Sequence, residues 1–246
     1  MIDLATLGTL PALGVIVPPA NPTVEPEMNR LISSDGRLYA TRLPVFPDTT
    51  LEQRNRAYID AYSAALESYG TLKLKAATIA LTGPSYRLGA EADDALAARL
   101  STEAGCSVET ASGAIRHALG ALKAKKICLF SPYPQWLTDE AASYWRGAGF
   151  EVRQIVKVSE TFRAYELTTE EVQQALAGVH IGDVDAIVMS GTGMITLPAI
   201  VMRPDNATTP FISSNLACAW WMMRRAGIRP GPVFSAACPK LAATLG

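Results

Sequence analysis

Short apolar runs alternate with amphipathic segments along the whole chain, and this alternation is typical of an α/β fold. Residues 13–17 (LGVIV) are apolar and stop at two prolines, which predicts a buried strand that feeds a loop. Residues 51–69 place Tyr58, Tyr62 and Leu66 on one face at helical spacing. The same criteria predict further strands at 38–45, 76–81, 107–110, 126–130, 151–158, 185–189 and 210–212. Further helices are predicted at 91–104, 112–122, 138–148, 168–177 and 216–226, with Thr138 and Thr168 as caps, and one more is predicted to start at Thr23, its candidate cap.

The two halves of the chain repeat the same order of elements. A strand with a proline loop comes first, a strand with a Gly/Ser/Thr loop follows, and a third strand leads into a helix that starts with small residues. The matched pairs are 15–19 with 128–132, 79–85 with 187–193, and 108–112 with 211–215. A repeat of about 110 residues predicts two pseudo-symmetric Rossmann-like lobes, each a mainly parallel sheet flanked by helices. The alternative is a chance likeness of two generic α/β halves.

The repeat also predicts how the chain divides. We expect residues 1–122 to form the first lobe, completed by the tail 227–246, and residues 123–226 to form the second. Since no Pro/Gly-rich linker separates the two halves, we expect the lobes to pack closely, with the active site between them.

Composition narrows the class of protein. With 22 Lys and Arg against 23 Asp and Glu, the chain lacks the basic excess of nucleic-acid binders. No apolar run reaches about 18 residues, and the N-terminus lacks a basic n-region, so we expect neither a membrane span nor a signal peptide. The four cysteines are far apart and only two histidines are present, which favours reduced thiols and disfavours a metal site. We therefore expect a cytoplasmic protein without metal or organic cofactor, and a homo-oligomer is possible.

The loops that follow the predicted strands carry the candidate chemistry. In open parallel sheets, ligands bind beyond the carboxyl ends of the strands. These loops are 18–21 (PPAN), 82–85 (TGPS), 131–133 (SPY), 190–193 (SGTG) and 213–215 (SSN). Their hydroxyl, amide and backbone N–H groups suit an anionic oxygen. Since the chain has no phosphate-loop or dinucleotide fingerprint, a small carboxylate is favoured over a phosphate.

At these loops the sequence resembles the aspartate/glutamate/hydantoin racemase superfamily, on the branch of the maleate isomerases and arylmalonate decarboxylases. Residues 13–20 resemble the opening strand of the decarboxylases, and 21–27 (NPTVEPE) resemble the N-T-T-M-E-x-E stretch of the isomerases. Residues 82–85 with Gly89 resemble the C-T-S-G-S-x-x-x-G loop, and 190–197 (SGTGMITL) resemble S-C-G-G-L-L-T-L. Tyr133 falls where the decarboxylases have a substrate-contacting tyrosine, and 213–215 resemble S-S/T-N. The resemblance implies two lobes around a site that works without a cofactor at the carbon next to a carboxylate.

The sequence departs from this family at both cysteine positions. The resemblance implies paired cysteines as acid and base in the racemases, a cysteine nucleophile in the isomerases, and only the second cysteine in the decarboxylases. Here the two positions are Leu81 and Gly191. The four cysteines stand elsewhere, and Cys218 is the only one near a site loop. The alignment therefore carries over the groups that hold a carboxylate but not the groups that transfer a proton.

Ten residues are predicted to form the site. We expect Tyr133, Ser85 and Thr192 to be catalytic. We expect substrate contacts from Pro19, Asn21, Thr82, Gly83, Gly191, Gly193 and Asn215. Each has a plain structural alternative, since Asn21 could cap a helix and Tyr133 could be a core tyrosine. Arg87 could pair with a second carboxylate, although a solvated arginine is favoured.

Three functions remain open from the sequence. The first is a cofactor-independent lyase or isomerase that acts at the carbon next to a carboxylate of a small mono- or dicarboxylic acid. The second is a hydrolase of a cyclic amide or ester with Ser85 or Thr192 as nucleophile, although neither histidine lies in a site loop. The third is a non-catalytic protein that binds small carboxylates.

Overall fold

The computed structural model describes residues 8–179, 181–203 and 208–245. Within these ranges every predicted strand is present, with bounds that differ from the prediction by a few residues. The strands are Ala12–Val17 (β1), Arg37–Arg42 (β2), Leu74–Ile79 (β3), Ser107–Thr110 (β4), Lys126–Ser131 (β5), Glu151–Lys157 (β6), Ala186–Met189 (β7) and Phe211–Ser213 (β8). Residues 1–7, on which the signal-peptide prediction partly depends, lie outside the described ranges.

The strands form two four-stranded sheets with the same topology. The strand order is β2-β1-β3-β4 in the first sheet and β6-β5-β7-β8 in the second, and every neighbouring pair is parallel. The central strands β1 and β7 are buried along their whole length and β5 at every residue except Lys126, which agrees with their mainly apolar sequence. The structure thus confirms the predicted α/β fold with two similar parallel sheets.

Helices cover both sheets and connect the strands. They are Val24–Leu31 (α1), Leu51–Glu67 (α2), Gly83–Leu88 (α3), Ala90–Ala104 (α4), Ala111–Ala121 (α5), Gln135–Gly147 (α6), Thr169–Leu176 (α7), Leu197–Val201 (α8), Ser214–Ala226 (α9), Pro232–Ala237 (α10) and Pro239–Ala242 (α11). Helices α3, α8, α10 and α11 were not predicted, because each has only four to six residues and is too short to show a helical period. In the described part of the chain, no helix has the length and apolar character needed to cross a membrane.

The two sheets share one hydrophobic core. A single cluster of buried side chains includes Val15 and Ala76 of the first sheet together with Leu129 and Val188 of the second. Helix α9 follows the last strand of the second sheet but packs against β3 and α5. Helix α10 of the tail packs against both α1 and α8, with Phe234 fully buried. This shared packing places the loops at the ends of the strands in a fixed relation, and the division of the chain at residue 122 stays a prediction.

Two predicted helix caps were wrong. Thr23 has helical backbone angles, and its hydroxyl donates to the carbonyl oxygen of Gly193 at 2.7 Å instead of capping α1. Thr138 lies inside α6, which begins at Gln135, and its Oγ1 donates to the carbonyl oxygen of Tyr133. A tertiary contact uses the Thr23 hydroxyl and a local contact uses that of Thr138, so neither is available for the cap that the sequence pattern predicts. The cap at Thr168 is confirmed, because its side chain accepts the N–H of Glu171 in a capping box.

Candidate active site

A cavity of about 420 Å³ lies where loops of both sheets meet. Four wall segments follow the carboxyl ends of the central strands, as expected for parallel sheets. They are 18–20 after β1, 81–84 after β3, Tyr133 after β5 and 191–193 after β7. Of the ten predicted site residues, seven line this cavity, namely Pro19, Thr82, Gly83, Tyr133, Gly191, Thr192 and Gly193. Ser85, Asn21 and Asn215 are not part of the cavity wall.

Tyr133 and Thr82 join the two halves of the wall through their hydroxyl groups. The Oγ1 of Thr82 and the Oη of Tyr133 are 2.7 Å apart, and either can be the donor. The Tyr133 ring stacks on Phe162, with 6.1 Å between the ring centroids and 7° between their planes. Burial, the largest cause, raises the pKa of Tyr133 far above its usual value of 10. The phenol is therefore neutral at physiological pH and keeps its proton to donate.

Unpaired backbone N–H groups lie on the same wall. Thr82 precedes α3 and Gly83 is its first residue, so their N–H groups have no acceptor within the helix. Across the cavity, the N–H groups of Thr192 and Gly193 also make no hydrogen bond to any described residue. Buried N–H groups are normally paired, and here the cavity is where an oxygen atom of a ligand could pair with them.

The loop 191–193 depends on two glycines. Gly191 has a φ of +87°, and a Cβ added there would lie 2.8 Å from Pro132 Cγ and 3.3 Å from Tyr133 Oη. A Cβ added at Gly193 would lie only 2.2 Å from the ring of Tyr165. Both glycines therefore let the loop backbone approach the aromatic side chains of the wall closely.

Thr192 and Asn21 fix this loop against the first sheet. The hydroxyl of Thr192 donates to the carbonyl oxygen of Ala80 at 2.7 Å and accepts from Asn21 Nδ2 at 3.2 Å. The other end of the Asn21 amide accepts the N–H groups of Thr23 and Val24 at 2.9 and 3.1 Å, so Asn21 caps α1. Asn21 is buried and both ends of its amide are in use, which places it behind the cavity wall.

Ser85 belongs to a different cluster. It is buried beside the carboxyl group of Asp93, whose pKa its hydroxyl lowers. Asp93 also accepts from Thr110 Oγ1 at 2.8 Å and from Tyr144 Oη at 2.7 Å. Burial raises the pKa of Asp93. The structure thus places Ser85 on the side of α3 that faces α4 and α6, away from the cavity wall.

Asn215 supports the wall through Glu27. Its Nδ2 donates to the carbonyl oxygen of Thr192 at 3.0 Å and to Glu27 Oε2 at 2.8 Å. The Glu27 carboxylate also accepts the N–H groups of Thr196 and Leu197 at 2.6 and 2.7 Å, at the start of α8. This buried carboxylate connects α1 to the segment that follows the 191–193 loop.

The stability of the protein should depend on the protonation of Glu27. Burial raises the pKa of Glu27 above 4.5, more than its hydrogen bonds lower it. The folded state then binds the proton more tightly than the unfolded state, so this contribution to stability is full below pH 4.5 and is lost as the pH rises through the folded pKa. Urea titrations at a series of pH values measure the free energy of unfolding of the wild type and of Glu27→Gln. We expect the wild-type value to fall relative to that of the variant as the pH rises from 4.5 through the folded pKa.

Glu171→Gln is the matched control for this experiment. Glu171 is exposed, and its hydrogen bond from the N–H of Thr168 lowers its pKa. Its contribution to the free energy of unfolding is therefore present above pH 4.5 and lost as the pH falls. The difference in unfolding free energy between the wild type and Glu171→Gln should thus rise with pH, opposite to the difference for Glu27→Gln. Equal slopes for the two variants would contradict the assignment for Glu27.

One side of the cavity lies outside the segments that the sequence predicts for the site. Helix α2 contributes Arg54, Asn55 and Tyr58, and the segment between β6 and α7 contributes Phe162 and Tyr165. The sequence predicts site residues only at the ends of strands, and these residues lie elsewhere. A signal was present in the helical spacing, because Arg54 and Tyr58 are four residues apart and share a face of α2.

No cysteine lines the cavity. Cys128, Cys218 and Cys238 are buried and Cys106 is half-buried, and all four are free thiols. Burial raises the pKa of Cys128 to about 11 and that of Cys218 to about 12. The thiolate, which is the nucleophilic form, is therefore scarce at both positions near neutral pH. Leu81 and Gly191, which the sequence resemblance aligns with the two cysteines of the superfamily, both lie in the wall.

Comparison with known proteins agrees with this architecture. A sequence profile described as arylmalonate decarboxylase matches residues 13–235. A maleate isomerase of Nocardia farcinica is 26% identical over 226 residues, which cover 86% of this chain and 88% of the relative. The chain therefore belongs to the arylmalonate decarboxylase family.

Solved structures have the same fold. A cysteine-to-serine mutant of the Nocardia farcinica maleate cis-trans isomerase, with a covalently bound succinylcysteine intermediate, superposes with a TM-score of 0.83 at 20% identity and covers 95% of this chain and 99% of its own. A liganded double mutant of arylmalonate decarboxylase superposes with a TM-score of 0.79 at 23% identity and covers 91% of this chain and 97% of its own.

Proposed function

We propose that this protein is a cofactor-independent lyase that decarboxylates a small dicarboxylic acid at the carbon between or next to its carboxylates. Membership of the arylmalonate decarboxylase family supports the class of reaction. One observation carries the choice of decarboxylation. The Thr82–Tyr133 hydroxyl pair lies beside the 191–193 loop, in a cavity whose described lining holds no carboxylate, imidazole, ammonium or thiol group.

This set of groups favours a reaction that needs no base. A racemase must remove a proton from carbon, and a thiol-addition isomerase needs a cysteine nucleophile. Decarboxylation needs neither, because cleavage of the carbon–carboxylate bond leaves the electron pair on the carbon. The remaining carboxylate delocalises this pair as an enediolate, which hydrogen-bond donors stabilise. A single proton donor then completes the product.

The cavity wall supplies these groups. The retained carboxylate would accept from the hydroxyl of Thr82 and from the N–H groups of Gly83, Thr192 and Gly193. Tyr133 would give its phenolic proton to the carbon and regain one from water. The leaving carboxylate would lie against apolar side chains that include Leu81 and Leu137, where loss of its charge as CO₂ removes the cost of desolvation.

The loss of the superfamily cysteines is part of the same proposal. The covalent succinylcysteine in the Nocardia farcinica isomerase mutant requires a thiol at the substrate, and no cysteine of this chain lines the cavity. We place the chain in the wider aspartate/glutamate/hydantoin racemase superfamily, with Leu81 and Gly191 at the two cysteine positions. Such a site is compatible with decarboxylation and incompatible with isomerisation through a thiol adduct.

The hydrolase has less support. Ser85 lies beside the Asp93 carboxyl group outside the cavity wall, and the hydroxyl hydrogen of Thr192 is held by the carbonyl oxygen of Ala80. The described lining of the cavity holds no base that could activate a hydroxyl there, and an unactivated hydroxyl is a weak nucleophile. A non-catalytic carboxylate binder fits the same wall and is separated from the lyase only by turnover.

A substrate panel tests the proposal. Alkyl- and aryl-substituted malonates, maleate and a hydantoin are incubated with the protein, and CO₂ release and products are measured by NMR. We expect one equivalent of CO₂ and the corresponding monocarboxylic acid from a malonate, with no fumarate from maleate. Fumarate formation, ring opening, or binding that raises the Tm without any product would each contradict the proposal.

A further inference from the structure

We propose that Arg54 and Asn55 of α2 form a second carboxylate-binding subsite, so that the preferred substrate carries an additional anionic group away from the reacting carbon. This inference rests on the proposed function for the identity of the reaction. It adds the class of substrate, namely an acid whose substituent itself ends in a carboxylate.

Arg54 is the only charged side chain in the described lining of the cavity. It is half-buried and forms no ion pair or hydrogen bond with any described residue. Two other arginines, by contrast, form ion pairs: Arg56 and Arg87 both pair with Glu52, at 3.1 and 3.0 Å. Arg87, which the sequence offered for a second carboxylate, is also bonded to Glu140 at 2.9 Å. Arg54 is thus the guanidinium that is left free to bind a substrate.

Asn55 lies beside it with an unused donor. The side chain is 4% exposed, and its Nδ2 has no hydrogen-bond partner in the described part of the chain. A buried amide without a partner is costly, and one that lines a cavity can be paired by a ligand. The amide reaches the wall only because residue 83 is glycine, since a Cβ there would lie 2.9 Å from Nδ2.

Two tyrosines complete this side of the cavity. The hydroxyl groups of Tyr58 and Tyr165 make no hydrogen bond to described residues, and both rings line the wall. Burial raises the pKa of Tyr165 to about 12, and the charge of Arg54 opposes this effect at both phenols. The guanidinium and both phenols line the same cavity. The two hydroxyls and Asn55 Nδ2 can all donate there, and the positive charge of Arg54 favours a carboxylate over a cation.

Binding of unreactive ligands tests the subsite separately from turnover. Dissociation constants are measured by calorimetry for succinate, glutarate and adipate and for the monomethyl ester of each acid. For the best diacid we expect the wild type to bind it about tenfold or more tightly than its ester, the size of a charge-assisted hydrogen bond. Arg54→Met should reduce this preference to about twofold or less, while the control Arg56→Met should keep it, because Arg56 is exposed and outside the cavity.

A second variant separates binding from structure. Asn55→Leu keeps the branched shape and the number of side-chain heavy atoms and removes the unpaired amide, so we expect weaker diacid binding with an unchanged or higher Tm. The proposal is overturned if the wild type shows no preference for diacids, if Arg54→Met and Arg56→Met behave alike, or if Asn55→Leu leaves diacid binding unchanged. Loss of decarboxylation in the substrate panel with an Arg54-dependent preference intact would refute the proposed function and leave the subsite standing.

Discussion

Replacing Tyr133 with phenylalanine is expected to lower kcat/KM by about 10²–10⁴-fold, the usual effect of removing a general acid. The Tyr133 hydroxyl lies 2.7 Å from Thr82 Oγ1 and beside the 191–193 loop. Its aromatic ring stacks on Phe162, a contact that phenylalanine keeps. The loss should therefore come from the missing hydroxyl and not from a rearranged cavity. Steady-state kinetics on the substrate found in the panel measures it.

Tyr144→Phe is the matched control for Tyr133→Phe. Tyr144 is also a buried tyrosine, but its hydroxyl donates to Asp93 at 2.7 Å and does not line the cavity. We expect this variant to lose about 1–2 kcal/mol of unfolding free energy while kcat/KM changes by less than about threefold. If Tyr133→Phe keeps its rate, or if both variants lose rate equally, Tyr133 does not act on the substrate.

Gly191→Ala is expected to damage both stability and catalysis. A side chain is strained at a φ of +87°, and the new Cβ would lie 2.8 Å from Pro132 Cγ and 3.3 Å from Tyr133 Oη. We expect a loss of about 1–3 kcal/mol in the free energy of unfolding from this strain. Since the loop also positions the N–H groups of Thr192 and Gly193, a shift of about 1 Å should reduce kcat/KM by about 10²-fold.

Gly120→Ala provides the control for backbone effects. Gly120 lies in α5, has no positive φ, and a Cβ added there meets nothing within 4 Å. Alanine should therefore stabilise the helix by about 0.5–1 kcal/mol and leave kcat/KM unchanged. A Gly191→Ala variant that is as stable and active as Gly120→Ala would show that the loop does not need its left-handed backbone.

The fold could be predicted from the sequence because its strands are short, apolar and regularly placed. The run at 13–17 and the run at 126–130 stop at prolines, and the two halves repeat the same order, which predicts two similar parallel sheets. The same logic located the wall segments 18–20, 81–84 and 191–193, because a parallel sheet gathers the carboxyl ends of its strands at one edge.

The remaining part of the site depends on tertiary contacts that no local pattern records. Asn21 and Asn215 stand in the right loops, but the folded chain uses their amides to hold Thr192 in place. Ser85 is only two residues from Gly83, yet the turn of α3 directs it to Asp93. Arg54 and Asn55 lie near the start of α2 and line the cavity, and helical periodicity alone does not show which part of the fold a helix face will meet.

One measurement tests the central claim, that this site protonates a carbon next to a carboxylate without a thiol or a metal ion. The protein is treated with iodoacetamide under conditions that modify accessible cysteines, dialysed against a chelator, and given the active malonate in D₂O. NMR should then show a monocarboxylic acid with one deuterium at the α carbon, formed at the rate of untreated protein, because no cysteine lines the cavity. Loss of turnover after either treatment would contradict the claim.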